Sequence, residues 1–222
     1  MTAMSAGTES SDPSRTSSAM AVRDDVVHLV LAGLGNSSPG HWQRAWAELL
    51  PNVVWLEHAS WDSPDEASWL ADLRRFLQQE ERPVVAITHS LGCSLLAAWA
   101  TGRGLDGIDP AHWHDGETPV VAAFVVAPPN SDRDDFPPQV TGFRSLEFSR
   151  LPFPATVVHS TNDPYCDATH GQQIAAAFGD AQVEVGDQGH INSESNLGDW
   201  PQGQQAFADL MRRLAAKDSS AR

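Results

Sequence analysis

The sequence predicts an α/β fold, with about six mainly parallel strands and helices on both faces, in one domain without a separate lid. Short β-branched runs alternate with longer amphipathic segments, the order that builds βα units. Three of these runs, at 26–32, 84–88 and 120–127, are apolar almost throughout, as strands covered on both faces must be. A chain of 222 residues also fits a single domain able to bury one continuous core.

The strands are expected at 26–32, 53–57, 84–88, 120–127, 155–160 and 182–185. After the first, Ser38-Pro39 offers a helix cap followed by a proline at the first helical position, with Trp42, Trp46, Leu49 and Leu50 on one face. Ser63-Pro64-Asp65-Glu66 has capping-box spacing, places acids at the positive helix end and opens a helix burying Leu70, Leu73 and Leu77. A third helix is expected over 91–99, before Gly102. A fourth covers 169–178 and stops at Gly179, and the last starts near Pro201 with Phe207, Leu210 and Leu214 inward. Two connections, 102–119 and 128–153, are longer than packing requires. Six prolines, from Pro128 to Pro154, mark the second as an irregular flap.

Residues 1–22 are rich in Ser, Thr, Ala and Asp and hold no apolar run long enough for a signal-peptide core or a membrane span. They are expected to be a disordered tail, as are 217–222, leaving 23–216 as the folded domain. Translation is expected to begin at Met20 or Met4, and the location to be cytoplasmic. A net charge of -15 argues against nucleic-acid or anionic-membrane partners, which need clustered Lys and Arg. Cys93 and Cys166 are too few for a disulfide framework and lack metal-ligand spacing, so they read as reduced structural thiols.

The decisive stretch runs Val84-Val85-Ala86-Ile87-Thr88-His89-Ser90-Leu91-Gly92-Cys93: a buried strand entering an apolar helix, with a serine at the bend. Such a turn lifts the serine hydroxyl from the sheet edge and frees the next amide, that of Leu91, to bind an oxyanion. This is the nucleophile elbow of an α/β-hydrolase fold. Its usual Gly-x-Ser-x-Gly keeps Gly92, but Thr88 replaces the first glycine, where a side chain crowds the turn. His89 is expected to support the turn rather than do chemistry.

A serine nucleophile needs a base, and the base an orienting carboxylate. Asp163 follows the fifth strand and His190 the sixth, so Ser90, Asp163, His190 fall in the chain order of this fold. Asp132, Asp134 and Asp135, after the fourth strand, are alternative acids. Asp187 lies too close in the same loop to grip the imidazole from behind. His28 and His159 sit in strands as packing residues, and His58 and His170 suggest no role. His112 and His114 flank Trp113 but have no third ligand at a useful spacing, so no metal is expected. The second oxyanion donor is expected from Gly33-Leu34-Gly35, at the amide of Leu34 with Gly35 second. A dinucleotide or phosphate loop does not fit, because the next glycine is misplaced and no lysine follows. His41, Trp42, Tyr165, Cys166, Ile191 and the flap are expected to shape a small, partly aromatic substrate pocket, the aromatics reading equally well as core.

These residues resemble the retinoblastoma-binding protein 9-like small serine hydrolases, particularly their bacterial branch. The likeness is carried by Gly33-Leu34-Gly35-Asn36-Ser37 with His41-Trp42-Gln43, by His89-Ser90-Leu91-Gly92-Cys93, by Ser160-Thr161-Asn162-Asp163-Pro164-Tyr165-Cys166, and by Gly189-His190-Ile191-Asn192 with Leu197-Gly198-Asp199-Trp200-Pro201. It implies a compact lidless α/β-hydrolase with no cofactor, esterase-like activity on small acyl substrates, and Ser90, Asp163 and His190 as the triad. The family name points to a pocket-protein partner bound through Leu-x-Cys-x-Glu. Leu91-Gly92-Cys93-Ser94-Leu95 lacks the final acid and lies in the elbow, so no such partner is expected. The rival readings are a non-catalytic binding protein on this scaffold, and a thioesterase, peptidase or acyltransferase.

Overall fold

A computed structural model describes residues 20, 22–103, 118–145 and 149–220. The region around His112 and His114 lies outside them, as does most of the N-terminal segment. Six strands, β1 (Val27–Leu31), β2 (Val53–Trp55), β3 (Val84–His89), β4 (Val120–Val126), β5 (Ala155–His159) and β6 (Ala181–Glu184), form one sheet in the order β2-β1-β3-β4-β5-β6, with every pairing parallel. In the register, Leu31 stands beside Thr88 and His89 beside Val126, so the carboxyl ends of β1, β3 and β4 share one edge. Strand order reverses between β1 and β3. A crevice outside the strands' carboxyl ends at such a switch point is where open α/β sheets bind ligands.

The helices are α1 (Trp42–Leu49), α2 (Glu66–Gln79), α3 (Leu91–Ala100), α4 (Ala168–Phe178) and α5 (Pro201–Ser220), with a 3-10 turn at Ser193–Ser195. Side chains alternate along the strands, so the sheet feeds two cores. Leu29, Ala86 and Val125 face α2, α3 and α4, whose Leu73, Leu95 and Ile174 complete one core. Ile87, Phe124 and Val126 face α1 and α5, where Trp42, Trp46, Trp200 and Phe207 form an aromatic cluster.

Several expected boundaries move. Helix α1 starts three residues late, with His41 as its cap, because Gly35, Asn36, Ser37 and Gly40 all have positive φ and hold the backbone out of the helix before it. Helix α2 is capped by Asp65, whose carboxylate accepts from the Ser68 amide at 3.0 Å, rather than by Ser63. At the ends, Met20 is fully buried in the α1/α5 core, and α5 continues through Ser220, past the expected limit at 216. The 128–153 segment contains no helix or strand among its described residues. A single bridge between Asp65 and Thr141 fastens it to the start of α2. No helix among the described residues is long and apolar enough to cross a membrane.

Candidate active site

Ser90 sits at the strand-to-helix turn between β3 and α3 with φ 54° and ψ −123°, a conformation that costs a non-glycine residue on the order of 1–3 kcal/mol. The surroundings impose it. Ser90 N–H donates to the Val126 carbonyl at 3.1 Å, and Ser90 C=O accepts from Cys93 N–H at 2.9 Å. Gly92 lets α3 start against β1: a Cβ there would lie 2.2 Å from the Leu31 carbonyl oxygen. Thr88, in place of the first glycine, is fully buried and finds its own partners. Its hydroxyl lies 3.1 Å from Cys93 Sγ and 3.4 Å from the Phe124 carbonyl, so the side chain is absorbed beneath the turn.

The turn brings Ser90 to His190. Ser90 Oγ is 2.7 Å from His190 Nε2, and His190 Nδ1 is 2.8 Å from Asp163 Oδ2 and 3.0 Å from Oδ1. A carboxylate only accepts, so Nδ1 carries the ring proton and Nε2 is left to accept from the serine hydroxyl. Asp163 Oδ1 also accepts from the Tyr165 amide at 2.8 Å, and both Asp163 and His190 are buried. The alternative acids stand elsewhere: Asp135 pairs with Arg133, Asp132 accepts from the Ser145 amide, and Asp187 bonds Thr161.

The loops carrying Asp163 and His190 are laced to each other by residues quoted in the sequence but given no task. Ser160 Oγ lies 2.9 Å from the Gly186 carbonyl and accepts from Gln188 N–H at 3.0 Å, while Asn162 Oδ1 accepts from Gly189 N–H at 2.6 Å. From beneath, His89 Nε2 donates to the His190 carbonyl at 2.9 Å and Trp42 Nε1 to the Ile191 carbonyl at 2.9 Å. The turn-supporting role expected of His89 therefore extends to the loop that bears His190. Burial, then the charges of His41 and His190, push His89 well below the ordinary histidine range, so it stays neutral.

Trp42 and Ile191 are corrected from pocket residues to core. They are 1% and 0% exposed, pack in the aromatic cluster and line no part of the cleft. His41 and Tyr165 do line it. Tyr165, 48% exposed, sets its ring edge-on to His190 at 4.6 Å between centroids. Gln43, also quoted without a task, is fully buried. Its Nε2 donates to the Ile87 carbonyl at 3.0 Å while its Oε1 accepts from Ser37 Oγ at 2.8 Å, which binds the loop after β1 to the end of β3. Gln43 sits in the first turn of α1, and a buried amide there needs partners, which it finds in the loop after β1 and at the end of β3.

Around Ser90 opens a cleft of about 550 Å³, within the ordinary range for small-molecule sites. Leu34, Phe136, Pro137, Val140 and Tyr165 give it apolar walls. The flap supplies three of these, which the sequence marked only as an irregular loop. Arg133 at the rim is neutralised by Asp135, at 2.8 Å from Nε to Oδ1, and reaches the Pro164 carbonyl, tying flap to Asp163 loop. Gly33, Leu34 and Leu91 line the cleft beside Ser90. Burial pushes the Cys93 and Cys166 thiols up to about 12, so neither is a nucleophile near neutral pH.

A family model described as serine hydrolase matches residues 28–209, most of the chain. The chain belongs to the serine hydrolase family. Among solved structures, this serine hydrolase is similar to a putative YdeN-like hydrolase from Pectobacterium atrosepticum, at 24% identity and TM-score 0.68 over 91% of this chain and 98% of that one. The ydeN gene product of B. subtilis is 16% identical with TM-score 0.60, over 86% and 99% of the two chains. Est1E of Butyrivibrio proteoclasticus, solved with ferulic acid bound, is 10% identical with TM-score 0.58, over 86% and 89%. At these identities the likeness is one of fold: this serine hydrolase has the α/β-hydrolase fold. No curated protein sequence is significantly similar to the chain.

Proposed function

We propose that this serine hydrolase is a carboxylic-ester hydrolase acting on small, uncharged acyl esters through an acyl-enzyme. The observation that carries the reading is the continuous run of hydrogen bonds from Ser90 Oγ through His190 to Asp163, at the floor of an apolar cleft. Ser90 attacks the ester carbonyl as His190 Nε2 takes its proton, and Asp163 holds the imidazolium in place. The amides of Leu91 and Leu34 stabilise the oxyanion. His190 then protonates the departing alcohol, and water enters by the same proton route to free the acid and restore Ser90.

Substrate class follows from the walls. Apolar side chains and an Arg133 already paired with Asp135 suit an uncharged acyl group better than a carboxylate or an ammonium. Est1E, of similar fold, has been solved with ferulic acid bound, and here Tyr165 and Phe136 would supply the aromatic walls for such an acyl group. Two buried, unpaired cysteines suit a reducing compartment, and we place the protein in the cytoplasm. No nucleic-acid, membrane or pocket-protein partner enters this reading.

The test is labelling with a fluorophosphonate, with the modified residue mapped by mass spectrometry, alongside turnover of matched ester, thioester and amide substrates. Labelling at Ser90 and preference for the ester are expected. Wild-type protein that resists the reagent overturns the enzymatic reading in favour of a binding protein, and a thioester or amide preference replaces the ester with that bond. Ser90→Ala is expected to lower turnover by several orders of magnitude, since triad members act as a unit.

A further inference from the structure

His41 is 3% exposed yet lines the cleft beside Ser90. Its two ring nitrogens have different fates. Nδ1 accepts a hydrogen bond from the Gln43 amide at 3.1 Å, as the cap of α1. An accepting Nδ1 carries no proton, so in the neutral ring the proton sits on Nε2. The ring is neutral: burial first, then the His190 and Arg44 charges, push its pKa down to about 3. Nε2–H is thus a fixed donor, and among the described residues it has no hydrogen-bond partner although the atom is buried.

A buried donor left unpaired is costly, and most buried polar groups in native proteins avoid that state. Packing alone does not call for this one. Trp42 and His89 pack against the ring, and a phenylalanine or leucine would serve that purpose without an orphaned N–H. The cap explains Nδ1 and leaves Nε2 unexplained. Neutrality also matters here, because an imidazolium at this place would oppose positive charge forming on His190 during turnover, whereas an uncharged N–H does not.

We propose that His41 Nε2–H is a third hydrogen-bond donor to the substrate, taken up by an oxygen of the ester function when the acyl group is bound over Ser90. The inference rests on the esterase reading above. A donor fixed by the fold and holding no other partner needs no reorganisation when the oxygen arrives.

Two substitutions separate the donor from the cap. His41→Asn keeps a side-chain oxygen for the Gln43 amide and loses the donor. His41→Gln carries an N–H about as far out as Nε2 but gives up the cap geometry. Asn is therefore expected to keep the unfolding midpoint near wild type while kcat/KM falls about 10- to 100-fold, between the loss of an ordinary hydrogen bond and that of an oxyanion donor. Gln is expected to lose stability and regain part of the activity. A purely structural histidine gives the opposite order, with activity following stability.

A direct reading comes from the wild-type protein crystallised after reaction with diisopropyl fluorophosphate. Nε2 within hydrogen-bond distance of an adduct oxygen supports the proposal. A modified Ser90 with Nε2 bonded to no adduct oxygen overturns it and leaves the esterase reading standing, as does an Asn variant with wild-type kcat/KM. An unmodified Ser90 overturns the esterase reading and the proposal with it.

Discussion

Residue 33 has no room for a side chain, which allows a sharp test of the geometry at Ser90. A Cβ added to Gly33 would lie 2.8 Å from Ser90 Cβ, 3.2 Å from Ser90 Oγ and 3.3 Å from the His89 carbonyl oxygen. Carbon atoms in comfortable contact are ~3.5–4.0 Å apart, so Gly33→Ala requires a separation of about 1 Å. Neither partner yields easily. Ser90 is held by the hydrogen bond from its N–H to the Val126 carbonyl and by the turn itself, while the loop at 33 is tied through Gly35 N–H to the Trp61 carbonyl at 3.0 Å. A displacement of about 1 Å at a reacting atom is worth roughly 100-fold in rate, and overpacking of this kind costs about 1–3 kcal/mol of stability. The expected variant is therefore folded, somewhat less stable and about 100-fold slower, both in fluorophosphonate labelling and in ester turnover. Urea unfolding supplies the stability axis. Gly92→Ala is the contrasting case: its Cβ meets the Leu31 carbonyl oxygen at 2.2 Å and carbon at 2.7 Å, so it separates α3 from β1 and is expected to abolish folding. A Gly33→Ala protein with wild-type labelling rate and wild-type urea midpoint refutes the placement of this loop against Ser90.

Other consequences can be measured on the same preparations. His89→Ala removes the donor to the His190 carbonyl and is expected to lower kcat about 10- to 100-fold, with partial rescue by His89→Gln; unchanged kcat would show that this bond does not position the base. Trp42→Phe loses the bond to the Ile191 carbonyl and part of the aromatic packing, for about 1–3 kcal/mol in urea unfolding, with KM unaltered across acyl chain lengths. A KM that shifts with acyl size would return Trp42 to the pocket. His28, His41, His58, His89 and His159 all have pKa values lowered chiefly by burial, His41 to about 3. The unfolded chain therefore binds protons first as pH falls, so stability is greatest above about pH 6.5 and declines below it, for His41 by up to about 1.4 kcal/mol per pH unit. An unfolding free energy equal at pH 7 and pH 5 contradicts this.

What the sequence disclosed followed the physics of strands and turns. Continuous apolar runs such as Val120–Val126 announced a doubly covered sheet, because no half-exposed strand carries them. Gly92 kept its place in the serine turn because any Cβ would meet the backbone of β1, so a local pattern recorded a long-range contact. Asp163 and His190 were legible from their order after β5 and β6, since a parallel sheet delivers loops to one edge. Boundaries set by backbone handedness were less legible: Ser38-Pro39 has the composition of a helix start, and the positive φ of Gly40 postpones the helix to Trp42.

The misreading of Trp42 and Ile191 has a different origin, and it bears on how the site is built. Sequence position places both beside residues of the cleft, His41 and His190, but a helix and a loop each present one side to the cleft and the other to the core. Neighbours in sequence therefore divide between chemistry and support. His41 faces the cleft while Trp42 holds the Ile191 carbonyl from the core, and Ser90 faces it while His89 holds the carbonyl of His190. Supporting donors of this kind fix the backbone of the histidine loop from the α1 side, and Ser160 and Asn162 fix it from the β5 side. Besides the apolar wall and the rim, the flap's ties to this set lie at the Asp163 loop, where Asn130 N–H donates to the Tyr165 carbonyl at 3.0 Å and Arg133 reaches that of Pro164. Substitutions of the flap's wall residues Phe136 and Val140 should then redirect acyl preference while leaving the reaction at Ser90 intact, whereas substitutions among the buried donors should slow every acyl group alike.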